Sequence, residues 1–364
     1  MLNNVQVLRA LAAYLVVIAH MAGLGIPGAG QGIFGVDLFF VISGFVMVYT
    51  TAGRPVTPGA FMINRVIRIV PLYWALTLAV FCVALVLPRL LNNTDPSPVA
   101  LAKSLFFIAY EKHDGVVQPL LFPGWSLNYE MLFYLLFAST LLLRRTAARF
   151  GLTFALLGAL VLAGLILQPA DPVARFYTST IQLEFGFGCV LGLLHAGIAR
   201  TAPPPILLYG LGVACFVLML APGLPTEGGL RFLLPGLPAT AIVYAALALE
   251  ARGHRYTGRS LLMMGAASYS LYLSHVYVVL PITMLAARLG MNAGWGALPF
   301  ILLGLALVSL VAIACHLLLE RPLSALLKGV VDPRHRSESS YAEALWPWRW
   351  PRSRLSRGRV KPAG

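Results

Sequence analysis

Apolar residues in this chain come in runs of about twenty, separated by short stretches rich in Arg, Pro, Asn and Gly. A helix needs about twenty apolar residues to cross the hydrocarbon core of a bilayer, and it keeps its own backbone hydrogen-bonded there. The runs predict about ten transmembrane helices, at residues 7–25, 33–51, 69–87, 127–143, 151–167, 176–194, 206–220, 232–249, 266–287 and 297–319. Residues 101–110 are apolar but too short to cross, so they are expected at the interface or in a re-entrant turn. A transmembrane barrel would show alternating segments of about ten residues, and the chain has none. The expected fold class is therefore an all-α polytopic membrane protein.

Arginines set the expected orientation, because cytoplasmic loops hold the excess of Lys and Arg. With the amino terminus inside, the inner loops and tail hold twenty of the 27 basic residues and the outer loops six, while Arg9 lies within the first span. Both termini are thus expected in the cytoplasm. Composition agrees with a membrane solvent: 59% of residues are hydrophobic and 11% charged, against about a quarter charged in soluble domains. The net charge of +14 is then mostly topology plus a basic tail. A membrane domain is expected over 1–322, followed at 323–364 by a tail too polar and short for a core of its own. Its Trp346, Trp348 and Trp350 alternate with arginines; anionic lipid accounts for that pattern more simply than nucleic acid does. The four cysteines stand singly in four spans, so no disulfide framework or zinc site is expected, and each reads as a small buried residue. The first span is too long for a signal peptide. Gly188 and Gly192 suggest a close helix contact.

Ionisable groups inside a bilayer are costly and therefore candidate functional residues. Arg9 and His20 are eleven residues apart, about 16 Å along one helix face. His20, Asp37 and Glu130 are expected at similar depth in the outer half of the membrane. A carboxylate beside an imidazole fixes its tautomer and equips it to take a proton from a hydroxyl. On the inner side Arg65 and Arg68, spaced i, i+3 before Pro71-Leu72-Tyr73-Trp74, join Arg9. Arginine forks suit phosphate oxygens, although topology alone would also place charge there. Glu184 is expected to face a neighbouring helix or the same cavity. Ser268 and His275 share a face and suit either a buried polar network or chemistry. His316 before Glu320-Arg321-Pro322 fits a helix end, and His113 an exposed loop.

These residues stand in a set of motifs: Arg9-x10-His20, Gly35-Val36-Asp37-Leu38-Phe39-Phe40-Val41-Ile42-Ser43-Gly44-Phe45, Arg65-x-x-Arg68-x-x-Pro71-Leu72-Tyr73-Trp74, Trp125-Ser126-Leu127-x-x-Glu130, Ser268-x-Ser270-Leu271-Tyr272-Leu273-x-His275 and Glu320-Arg321-Pro322. In that order and over that length, the chain resembles the acyltransferase 3 family of bacterial membrane O-acyltransferases, near its exopolysaccharide acetyltransferase branch. The resemblance implies ten core helices in the bacterial inner membrane and transfer of an acyl group, usually acetyl, from cytoplasmic acyl-CoA. The acceptor would be a hydroxyl of an extracytoplasmic or lipid-linked polysaccharide. By the same resemblance Arg9, Arg65 and Arg68, with Tyr73 and Trp74, would bind the CoA moiety. His20 would act as general base or carry the acyl group, oriented by Asp37 or Glu130, and no metal is called for. Some relatives carry a soluble hydrolase-like domain outside the membrane. None is expected here, so either the membrane domain completes the transfer alone or a glycan-assembly partner protein does. A proton-coupled transporter and a lipid-linked glycan flippase are the competing functions. A transporter predicts symmetric broken-helix halves, which the sequence lacks.

Overall fold

The computed structural model describes residues 2–87, 96–225 and 228–331. Arg89 and the Trp/Arg-rich tail fall outside these residues. Helices dominate: α1 (Asn3–His20), α2 (Gly35–Thr51), α3 (Pro58–Val86), α4 (Pro98–Leu105), α5 (Trp125–Thr140), α6 (Thr146–Leu167), α7 (Pro172–Tyr177), α8 (Leu183–Thr201), α9 (Pro205–Met219), α10 (Gly236–Ala251), α11 (Arg259–Ala266), α12 (Ser268–Arg288), α13 (Gly294–Cys315) and α14 (Arg321–Val331). No strand lies among the described residues, and the sole extended pairing is a bridge between Glu111 and Val117.

Each predicted span overlaps a helix of fifteen residues or more. By length and composition six helical stretches can cross a membrane: Ala29–Thr51, Pro58–Val86, Thr146–Leu167, Pro172–Thr201, Ser268–Arg288 and Gly294–Val331. The span predicted at 176–194 is displaced, since α8 begins at Leu183 behind the short α7 and a 3-10 turn at Thr180–Gln182. The polar stretch Thr178-Ser179-Thr180, with Gln182, lies at this break, inside the residues predicted as one span.

Several helix starts follow from local chemistry. Thr57-Pro58, Ser97-Pro98 and Asp171-Pro172 each pair an N-cap oxygen with proline in the first turn. The caps accept from the amides of Ala60, Ala100 and Ala174 at 3.2, 3.1 and 2.7 Å. This is the favoured arrangement, because proline has no N–H to leave unsatisfied. At the far end, α13 passes through a π-helical turn at His316–Glu320 directly into α14. The helix therefore runs beyond residue 322, and Ser324 Oγ docks it on α3 by donating to the Ile67 carbonyl at 3.0 Å.

Three apolar clusters fill the interior, and α1 and α2 serve more than one of them. One cluster packs α2, α3, α5, α6 and α8. The second joins α1 and α2 to α8, α9 and α10. The third packs α1 with α12 and α13. Outside, Leu302 and Leu310 on α13, Ile206 and Val213 on α9, and Leu162 and Ile166 on α6 are all exposed. An apolar exterior of this extent would aggregate in water, and it suits lipid. The chain is a multi-pass membrane protein. Of the cysteines only Cys189 is fully buried, while Cys82 is exposed on α3; an apolar surround of lipid suits either placement.

Helices α2 and α8 make the closest contact. A Cβ on Gly188 would overlap the Val41 carbonyl, one on Gly44 the Phe185 carbonyl, and one on Gly192 the Val48 side chain. The contact anticipated from Gly188 and Gly192 is thus backbone against backbone, where dispersion and packing drive association in place of the hydrophobic effect. Gly188→Val is expected to destabilise the fold by about 1–3 kcal/mol or more, read as a lower melting temperature in detergent. An unchanged melting temperature would mean that the two helices separate freely.

Candidate active site

Helix α1 carries Arg9 and His20 on one face, and α12 lies along that face with Ser268 and His275. The two pairs meet. Arg9 is buried and donates to Ser268 Oγ through Nε at 3.1 Å and Nη2 at 2.9 Å. About three turns further along α1 and two along α12, His275 Nε2 lies 3.3 Å from His20 Nδ1, and the rings meet edge-on with centroids 4.8 Å apart.

The hydrogen bonds fix which nitrogen of His20 carries the proton. His20 Nδ1 is 2.8 Å from the Val16 carbonyl oxygen, which only accepts, so Nδ1 is the protonated nitrogen. His275 Nδ1 similarly donates to the Tyr272 carbonyl at 2.7 Å, leaving its Nε2 as an acceptor toward His20. The remaining lone pair of His20 is therefore on Nε2. Phe122 packs edge-on against the ring at 5.5 Å, and His20 itself stays partly exposed. A neutral imidazole held in this tautomer, with its lone pair on Nε2, is equipped as a base or a nucleophile.

A cavity of about 300 Å³ lies on the Arg9 side of this pair and reaches Tyr272, while neither histidine lines it. Its lining includes Arg9, Arg65, Arg68 and Glu130, then Ser126 and Tyr272. Ser126 Oγ and Tyr272 Oη are 2.7 Å apart, and the Tyr272 ring lies 6.0 Å from that of His275. The guanidinium of Arg65 lies over Phe61 and Tyr134, 5.6 and 6.0 Å from their centroids. Its Nε–H is buried and has no acceptor among the described residues. Three guanidinium groups around one cavity, one with an unused buried donor, form a receptor for anionic oxygen.

The carboxylates are placed differently from the depth argument. Glu130 lies in the arginine-lined cavity, where it accepts from Ser43 Oγ at 2.8 Å and from the Tyr134 hydroxyl. Asp37 forms a buried ion pair with Arg231 at 3.1 Å, beside the fully buried Glu184 of α8. Neither carboxylate hydrogen-bonds His20; similar depth along different helices does not fix which faces meet. Tyr73 and Trp74 stand outside the cavity lining. Tyr73 is fully buried under Gly124 and donates to the Ser104 carbonyl at 3.1 Å, and Trp74 Nε1 donates to the Leu105 carbonyl at 2.8 Å. Together they pin α4 and the apolar 101–110 segment to the middle of α3, short of any crossing.

Glu320 of the π-helical turn accepts from Ser270 Oγ at 2.7 Å and pairs with His316 at 2.8 Å. The Glu320-Arg321-Pro322 motif thereby fastens α13 to α12 rather than merely ending a helix. His113 is exposed in the loop closed by the Glu111–Val117 bridge. Sequence reasoning missed Arg231, which reads as one more loop arginine, and Tyr134, whose only signal is its i+4 spacing from Glu130.

The geometry has counterparts among known proteins. The family model described as an acyltransferase domain, acyltransferase 3, matches residues 2–317. The exopolysaccharide production protein ExoZ of Rhizobium meliloti is 36% identical over 297 residues, which is 80% of this chain and 89% of that protein. The peptidoglycan O-acetyltransferase OatA of Listeria monocytogenes is 25% identical over 315 residues, 76% of this chain and 49% of its own length. The chain thus spans about half of that relative. No solved structure matches. With the family model covering nearly all of the described residues, the chain belongs to the acyltransferase 3 family.

Proposed function

We propose that this protein is an O-acyltransferase of the bacterial inner membrane that moves an acyl group, in the first instance acetyl, from cytoplasmic acyl-CoA to a hydroxyl of an extracytoplasmic or lipid-linked polysaccharide. In this reading all ten long helices cross the membrane and both termini are cytoplasmic. The observation that supports the proposal is the cavity lined by Arg9, Arg65 and Arg68 and reaching Tyr272, behind which the His275–His20 pair stands, with the Tyr272 and His275 rings 6.0 Å apart. It suits a long donor whose phosphates and thioester lie far apart. The names of the relatives ExoZ and OatA support the acceptor class.

Arg65 and Arg68 meet phosphate oxygens from α3 while Ser268 holds Arg9 in place. His20 Nε2 takes the proton of the acceptor hydroxyl, whose oxygen then attacks the thioester carbonyl. The C–S bond breaks, and the departing thiolate receives the proton from His20. A transient acyl-imidazole would use the same Nε2 lone pair, so the tautomer set by Val16 and His275 serves both routes. Glu130, bonded to Ser43 and Tyr134, balances charge in the arginine-lined chamber.

Turnover of acetyl-CoA by detergent-purified protein tests this reading, together with direct CoA binding. Wild type is expected to bind CoA and release it from acetyl-CoA, and Arg68→Ala to raise KM for acetyl-CoA about tenfold or more. A folded protein that neither binds nor turns over CoA would instead point to the glycan flippase.

A further inference from the structure

The cavity extends well past the arginines. Along α2 its lining runs from Val36 to Thr50, fourteen residues or about 21 Å of helix. Near Thr50 the wall is aromatic. Phe45 and Tyr49 both line the cavity, their rings stacked at 5.4 Å and inclined by 21°. Phe45 is buried, whereas Tyr49 is 41% exposed. His195 of α8 meets both rings edge-on, 5.5 Å from Phe45 and 5.2 Å from Tyr49. Tyr49 is thus a cavity-lining ring that is part exposed and packed on Phe45 and His195.

We propose that Tyr49, backed by Phe45 and His195, is the platform on which the adenine ring of acyl-CoA stacks. The inference rests on acyl-CoA being the donor, and the order of groups along the cavity supports it. Helix position orders the lining from the Thr50 end as Tyr49, then Arg65 with Glu130 and Ser43, then Arg9 with Ser268, then Tyr272 and Ser126, with His275 behind Tyr272 at 6.0 Å between ring centroids. Acyl-CoA has the same order: base, phosphates, pantetheine arm, thioester. Stacking on an aromatic side chain contributes to nucleotide affinity without requiring base-specific hydrogen bonds. A tyrosine near a membrane surface also anchors helices at headgroup level, and the donor series below separates that role from the platform.

The test compares acetyl-CoA with acetyl-4′-phosphopantetheine, which lacks the adenosine part, in full-length protein. Tyr49→Ala is expected to raise KM for acetyl-CoA about tenfold, with kcat unchanged and with no change in KM for the truncated donor. Tyr49→Phe restores the wild-type KM, and Tyr49→Leu, which keeps an apolar side chain toward lipid, behaves as Tyr49→Ala. Equal KM values for wild type and Tyr49→Leu on acetyl-CoA overturn the platform, as does an equal rise for both donors. If wild type neither binds nor consumes acetyl-CoA while remaining folded, the donor assignment itself fails and the platform with it.

Discussion

His20→Ala is expected to lower acetyl transfer by about a hundredfold to ten-thousandfold, the range supplied by a positioned general base. Its CoA binding and melting temperature should remain those of wild type, because the arginine end of the cavity is untouched. His275→Ala separates chemistry from packing. His275 Nε2 and the Val16 carbonyl are the two acceptors behind His20 Nδ1, and losing one loosens the ring without removing the base. We expect a kcat reduced by tenfold or more, less than for His20→Ala, with KM for acetyl-CoA unchanged. Steady-state kinetics with acetyl-CoA and an oligosaccharide acceptor reads both effects. Full activity in His20→Ala would remove the proposed chemistry, and a change confined to KM in His275→Ala would make that residue a wall of the donor site.

Much of this site is legible in the sequence because two helices each place their polar groups on one face. On α1 the spacing of Arg9 and His20 is three turns, and on α12 that of Ser268 and His275 is two. Each pattern marks a polar face, and a polar face in lipid needs a partner. What the spacing omits is which faces meet. Arg9 donates to Ser268 and His20 touches His275, so the partner of α1 is α12 rather than the helices carrying Asp37 and Glu130. Depth placed those carboxylates beside His20, but the faces of α2 and α5 that carry them turn Asp37 toward Arg231 and Glu130 toward Ser43. The same limit applies to Tyr73 and Trp74: their motif lies next to Arg68 in the chain, yet their side chains hold α4. Helix positions were readable because a bilayer demands long apolar runs. The α7–α8 break is marked in the sequence only by the short polar stretch Thr178-Ser179-Thr180 with Gln182, which a window of about twenty residues averages away against the apolar residues on either side.

Arg231→Leu is expected to destabilise the protein by about 3–5 kcal/mol, the cost of stranding a buried charge. For a chain of this size that corresponds to a fall in melting temperature on the order of 10 °C. Arg231 stands in the segment before α10 and reaches Asp37 in the first turn of α2, with Glu184 of α8 against the same carboxylate. Removing the guanidinium leaves two carboxyl groups enclosed together, both fully buried, whereas Asp37→Asn removes the repulsion along with the pair. Asp37→Asn should therefore cost less stability than Arg231→Leu, and the double variant should recover part of the loss. Kinetics decide what Asp37 is for. If it orients the catalytic imidazole, as depth along the sequence suggested, Asp37→Asn will depress kcat in a protein of normal stability. If it closes the outer ends of α2, α8 and α10, the melting temperature will fall while kcat of the folded fraction stays within a few-fold of wild type. The ion pair with Arg231 and the His275 partner of His20 favour the second outcome.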